Sequence, residues 1–159
     1  MSKFRLVQPE EDRATIVQFF TDISEAEAAE GDIHFNEEDY IQFAKQKAAD
    51  LPEGFVLLED DGHTVGELVL RRAQYEEREI GYLSFIYVIP EGRGKGYSQQ
   101  LLAYAETLFT KLGLPEYHLR VAQANARAIR FYEKHGFHKL AEETNSLQQL
   151  CWRMGKAIQ

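Results

Sequence analysis

The sequence predicts an α/β protein, and three stretches carry that prediction. The run EIGYLSFIYVIP at 79–90 alternates too richly in apolar and aromatic residues for a surface loop and reads as a central strand that Pro90 ends. Leu101, Leu102, Ala105, Leu108, Phe109 and Leu112 recur at helical spacing, so a helix with one apolar stripe follows, and Gly113 caps its C-terminus. The apolar stretches 55–58 and 65–70 flank Asp60, Asp61 and Gly62, which makes them a hairpin with an Asp-Gly turn.

The remaining elements follow in chain order. Phe4, Leu6 and Val7 suggest a short first strand ended by Pro9, with an acidic helix start at Glu10, Glu11 and Asp12. Ile16, Val17, Phe19, Phe20 and Ile23 continue that helix until Gly31 and Asp32 interrupt it. Asn36 caps a second helix whose first turn is Glu37, Glu38 and Asp39 and whose apolar residues are Tyr40, Ile41, Phe43 and Ala44. Residues 71–78 read as a charged connection. A strand at 117–121, a short helix between the N-cap Asn125 and the C-terminal Gly136, and two closing strands near 137–140 and 147–154 complete the chain. With 159 residues, 44% of them hydrophobic, the expectation is one domain over 1–159, with no repeat and no low-complexity linker.

Composition narrows the function. The start MSKFRL has no apolar core of a signal peptide and no stretch approaches the roughly 18 apolar residues of a membrane span, so a soluble, cytoplasmic protein is expected. A single cysteine, Cys151, allows no intramolecular disulfide and suits a reducing compartment; it reads as buried filler. The net charge of −8 is uneven. Positions 14–44 hold no Lys or Arg but eight acids, which is the whole excess, whereas 93–139 is basic. Such a chain suits a cationic ligand meeting an anionic one, and a nucleic-acid partner is not expected.

The stretch EGRGKGYSQQLL at 91–102 has the features of an anion site. A strand leads through Gly92, Gly94 and Gly96 into a helix start whose first N–H groups point outward, and Arg93 and Lys95 add full charges. Spacing rules out two familiar phosphate loops. Gly96, not Ser or Thr, follows Lys95, and Tyr97 stands where a dinucleotide fingerprint needs its third glycine. A second stretch, NARAIRFYEKHGF at 125–137, is by itself an ordinary capped helix with Ile129, Phe131 and Tyr132 packing inward.

Together these segments resemble the GNAT superfamily of acetyl-CoA-dependent N-acetyltransferases. VIPEGRGKGYSQQLL is similar to its strand, pyrophosphate loop and helix, and NARAIRFYEKHGF to its second signature. The match is strong over about 83–137, and the flanks agree in layout. One position departs: Ser98 stands where the family has Gly or Ala, small enough to admit a pyrophosphate. The resemblance implies a GNAT-like α/β fold, with a central mixed but mostly antiparallel sheet of six to seven strands and about four helices. It implies acetyl-CoA as co-substrate and no metal. The cofactor would be held by Arg93, Gly94, Lys95, Gly96, Tyr97 and Ser98, by the central strand at Ile86, Tyr87 and Val88 beside a neighbour strand that splays away, and by Asn125, Phe131 and Tyr132.

The implied reaction is direct attack of a primary amine on the thioester. An alkylamine with a pKa of about 10.4 is almost wholly protonated at neutral pH, so a base must take its proton, and the departing thiolate benefits from a donor. Tyr132 aligns with the family's general acid. The central strand has Tyr82 and Ser84 where the family often places a Glu, which leaves Glu79 at the strand's start as the candidate base, acting through water or else merely pairing with Arg78 or Arg72; Glu30, Asp32 and Glu67 have weaker claims. The acidic helices suggest a cationic acceptor, either a small molecule or a peptide amine. The alternative is a non-catalytic acyl-CoA-binding module. Homodimers are common in the family. His34, His63, His118, His135 and His138 form no metal pattern.

Overall fold

The computed structural model describes residues 1–27, 36–145 and 148–158, with the side chains of 24–27 left aside. It has seven strands and four α-helices in the order β1 (Ser2–Leu6), α1 (Arg13–Glu27), α2 (Glu37–Asp50), β2 (Phe55–Asp60), β3 (His63–Tyr75), β4 (Arg78–Val88), α3 (Tyr97–Lys111), β5 (Glu116–Ala122), α4 (Ala126–Lys134), β6 (His138–Thr144) and β7 (Leu150–Ala157). The strands form one sheet in the order β1-β2-β3-β4-β5-β7-β6. β1 with β2, β2 with β3, β5 with β7 and β6 with β7 pair antiparallel, whereas β4 and β5 run parallel at Gly81–Tyr117 and Tyr82–His118, and the sheet is mostly antiparallel. The expected mixed, mostly antiparallel α/β sheet is therefore found.

The chain divides into two compact units, Met1–Arg71 with Leu83–Leu108, and Arg72–Tyr82 with Phe109–Gln159. In the first, α1 and α2 bury Ile16, Phe19, Tyr40, Ile41 and Ala44 against Phe55, Leu57, Val69 and Tyr87 of the strands. Leu101, Leu102 and Ala105 of α3 are buried as the stripe predicts, and Leu101 comes close to Gly66: a Cβ there would lie 3.3 Å from the leucine and 2.9 Å from the Tyr87 carbonyl oxygen. In the second unit the rings of Phe109, Tyr117 and Phe137 form the core, with centroids 5.3 and 5.0 Å apart.

Three boundaries differ from expectation. Helix α1 begins at Arg13, because Asp12 accepts from the Gln8 N–H at 2.7 Å and takes both Nη atoms of Arg5, fixing a turn before the helix. Strand β3 runs on to Tyr75, so 71–75 is strand and the charged connection shrinks to a turn at Glu76 and Glu77. The closing strands begin at His138 and Leu150 and run to Thr144 and Ala157. Asn36 caps α2 through the Asp39 N–H at 3.1 Å, and the hairpin turns at Asp61 and Gly62, both left-handed, as the sequence predicts. The helix break at Gly31 and Asp32 and the candidates Glu30, Asp32 and His34 lie outside the described residues. No helix among the described residues is long and apolar enough to cross a membrane.

Candidate functional site

The glycine loop lies in the first unit. Pro90–Gly92 makes a single 3-10 turn, closed by the Gly92 N–H on the Ile89 carbonyl at 2.9 Å. Gly94 and Gly96 then adopt φ of +80° and +83°, a conformation that side-chain-bearing residues rarely take, so both glycines are required by the backbone path. The first helical bond of α3 runs from the Gln100 N–H to the Gly96 carbonyl at 3.2 Å, which leaves the N–H groups of Tyr97, Ser98 and Gln99 ahead of the helical ladder. Arg93 and Lys95 are exposed. Tyr97 is buried and donates its hydroxyl proton to Asp60, tying the start of α3 to the end of β2. The loop thus presents glycine backbone, outward N–H groups and two cations without a side chain in the way, which fits a pyrophosphate.

Of the central-strand candidates, Tyr87 and Val88 are buried and Ile86 is half-buried. The Tyr87 hydroxyl donates to Asp22 at 2.7 Å, and burial together with that carboxylate pushes its pKa up to about 12.

The other signature lies in the second unit. Asn125 caps α4 by accepting from the Ala128 N–H at 3.1 Å, so this side chain is committed to the helix. Tyr132 is buried, with its ring 5.5 Å from Phe131 and 5.5 Å from Phe137. Phe131 is half-buried rather than packed inward, and its ring lies 4.5 Å from that of His135. Gly136, at φ +96°, closes the helix. Glu79 is exposed, and Arg78 bonds Glu116 and Glu76 instead of it.

Two burials escaped the sequence, one of them that of Glu67, which it ranks among the weaker candidate bases. His118 is fully buried in the second unit, with Nε2 2.6 Å from Glu116 and Nδ1 3.0 Å from an Arg153 Nη. A guanidinium only donates, so Nδ1 accepts, and the ring is the neutral tautomer with its proton on Nε2 facing Glu116. Burial lowers its pKa in keeping with that. Arg153 itself stacks over Tyr75 and Tyr82 and bonds Glu143 at 2.6 Å. In the first unit, Glu67 is 1% exposed, and among the described residues its Oε2 has no hydrogen-bond partner. Burial pushes its carboxyl pKa up to about 8. Cys151 is buried, as expected.

Residues 17–137 match the model of the acetyltransferase (GNAT) family. The chain belongs to this family. Among GNAT relatives, a mycothiol acetyltransferase of Acidimicrobium ferrooxidans is 32% identical over 109 residues, which is 67% of this chain and 33% of that protein. The chain spans about a third of the length of the curated relatives it matches. Its fold is shared with the NatB acetyltransferase complex bound to CoA and MES, at a TM-score of 0.80 and 17% identity over 99% of both chains. It is shared too with Arabidopsis thaliana Naa50 in complex with the bisubstrate analogue CoA-Ac-MVNAL, at a TM-score of 0.73 and 20% identity over 98% and 97% of the chains.

Proposed function

We propose that this GNAT protein is a single N-acetyltransferase domain, cytoplasmic, moving an acetyl group from acetyl-CoA to a primary amine by direct attack with both substrates bound. The observation that carries this is the loop at 93–98, where two left-handed glycines deliver the backbone to an open helix start flanked by Arg93 and Lys95. Acetyl-CoA supplies the activated acetyl group and a pyrophosphate for that loop to hold. Backbone groups of Ile86, Tyr87 and Val88 would align the pantetheine arm, and only the family resemblance assigns Asn125, Phe131 and Tyr132 to the same cofactor. A free phenol, of pKa about 10, is un-ionised at neutral pH, and on the family resemblance Tyr132 would give a hydrogen bond to the departing sulfur.

The acceptor is a small-molecule or peptide amine; a peptide agrees with the peptide-bearing analogue held by the Naa50 fold relative. The acidic segment favours a cationic one, although Arg13 already engages Glu37 and Glu38, and Asp22 is taken up by Tyr87 and Gln18.

Calorimetric titration of acetyl-CoA into the protein, with ATP as control, tests the cofactor site: micromolar, salt-sensitive binding of acetyl-CoA alone is expected, and no binding at millimolar concentration overturns the assignment. Thiol release with an amine panel then tests transfer. Tyr132→Phe should lower kcat about 100-fold or more while leaving acetyl-CoA affinity within a few-fold. Tight binding with no turnover of any amine would instead mark a non-catalytic acyl-CoA-binding module.

A further inference from the structure

Glu67 is a buried carboxyl that the fold does not use. It sits mid-strand in β3, opposite Leu57 of β2, on the sheet face that α1 and α2 cover. A carboxyl removed from water with its Oε2 left without a hydrogen-bond partner costs stability, and an apolar side chain of like volume would fill the place without that cost. Burial raises the pKa of Tyr40 of α2, and the carboxyl lies close enough to add to that rise by its charge. Tyr40 belongs to a set of four rings in mutual contact. It stacks on Phe20 at 4.2 Å and on Phe43 at 5.8 Å, and Phe85 of β4 stands edge-on to Phe20 at 5.8 Å and to Phe43 at 6.4 Å. Phe43, at the outer end, is 36% exposed, so the ring set reaches from the surface to the buried carboxyl. Ring faces attract an ammonium group, and a carboxylate beyond them completes its recognition.

We propose that Glu67 receives the acceptor's ammonium group along the wall formed by Phe20, Tyr40, Phe43 and Phe85 and takes its proton. This deepens the N-acetyltransferase function proposed above and rests on it. In the step, the ammonium gives one proton to the Glu67 carboxylate. The freed lone pair forms the C–N bond as the thioester C–S bond breaks, and the second nitrogen proton leaves with the sulfur as the thiol. Glu67 then returns its proton to solvent. The base therefore lies on β3, not at Glu79, which is exposed at the start of β4. Burial alone raises the titration of Glu67 to about 8, so roughly a tenth of it is the carboxylate base at pH 7 and the ionised share grows as pH rises, within exchange range of the amine proton. Other titratable groups described on that face are Tyr40 from α2, the pair of Tyr87 from β4 with Asp22 from α1, which bond one another, and Arg71 of β3 itself; β2 faces it with Leu57, and beyond Leu57 lies Arg5 of β1, which is held by Asp12 and Glu59.

The test compares wild type with Glu67→Gln in acetyl-CoA binding, thermal unfolding and thiol release with alaninamide, Nα-acetyl-lysinamide and spermidine from about pH 7 to about pH 10. Glu67→Gln should fold, bind acetyl-CoA within about twofold of wild type, and lose about 100-fold or more in kcat/KM near pH 7. The deficit should close as pH approaches the amine's own pKa, at about 8 for alaninamide and about 10.4 for the lysine amine, because there the substrate deprotonates without help. A merely structural role would give a deficit independent of the amine's pKa. Wild type that transfers to one of these amines with Glu67→Gln equally active, or with a pH-independent deficit, overturns the role of Glu67 alone. Wild type that binds acetyl-CoA but acetylates none of the three overturns the transferase function and the role of Glu67 with it.

Discussion

Two buried titratable side chains give the stability of this protein opposite responses to pH. Glu67 holds its proton in the folded chain up to about 8, whereas in the unfolded chain it ionises near 4.5. Its raised pKa means that the stabilising contribution is complete below about 4.5 and is lost as pH rises through about 8. Glu67→Gln should therefore match wild type near pH 4.5 and exceed it above pH 8 by up to about 5 kcal/mol, read from urea unfolding at a series of pH values. Curves that stay parallel across the series would show that the carboxyl is not buried in solution. His118 acts the other way. Its lowered pKa makes it neutral when folded, so its contribution is complete above 6.5 and is lost as pH falls below that. Neither burial was legible beforehand, although the sequence puts Glu67 among the weaker candidates for the base. Alternation around VGELVL places Glu67 in a strand, but only the packing of Tyr40 from another element seals it. Likewise, His118 meets Arg153 only because β5 pairs with β7.

Turns and close approaches decide the elements, and the sequence discloses them unevenly. The Asp61-Gly62 turn was legible because its residue types match its left-handed backbone, as do Gly94, Gly96 and Gly136. The turn between β3 and β4 was not, since Glu76 and Glu77 adopt φ of +50° and +66° with no glycine to announce it. A glutamate in that conformation is strained, so Glu77→Gly should stabilise the protein by about 0.5–1 kcal/mol in urea unfolding, and a loss of stability would show the turn to be otherwise formed. Gly81 poses the reverse case. It lies in β4 under α3, and a Cβ there would come within 2.7 Å of three Phe109 ring atoms. Gly81→Ala should cost about 1–3 kcal/mol, and adding Phe109→Leu should recover part of it, because a smaller side chain vacates the space. Additive losses in the double variant would place the conflict elsewhere. The stripe of α3 showed which residues are buried, but a helical repeat carries no information about which strand glycine meets the ring.

At the scale of the whole molecule, charge segregation written in the sequence survives folding only in part. Several acids of the 14–44 stretch are spent on partners: Glu37 and Glu38 on Arg13, and Asp22 on Tyr87. In the basic region Arg120 pairs with Glu143 and Lys139 lies over Trp152, while Arg93 and Lys95 at the glycine loop stay exposed. Exposed cations are screened by salt, so an anion held by them loses affinity as ionic strength rises. A ligand that binds only the folded chain stabilises it by mass action, by about 2.7 kcal/mol at a hundredfold excess over Kd. In a chain of this size each kcal/mol raises the melting temperature by about 2–4 °C. Acetyl-CoA at that excess should therefore raise it by about 5–10 °C at low salt and by less in high salt, with ATP causing little change. Arg93→Gln and Lys95→Gln together should weaken acetyl-CoA binding about tenfold or more and flatten the salt dependence. An equal rise with ATP, or a salt dependence unchanged in the double variant, would mean that the loop recognises phosphate without these two cations and that the outward N–H groups of α3 suffice.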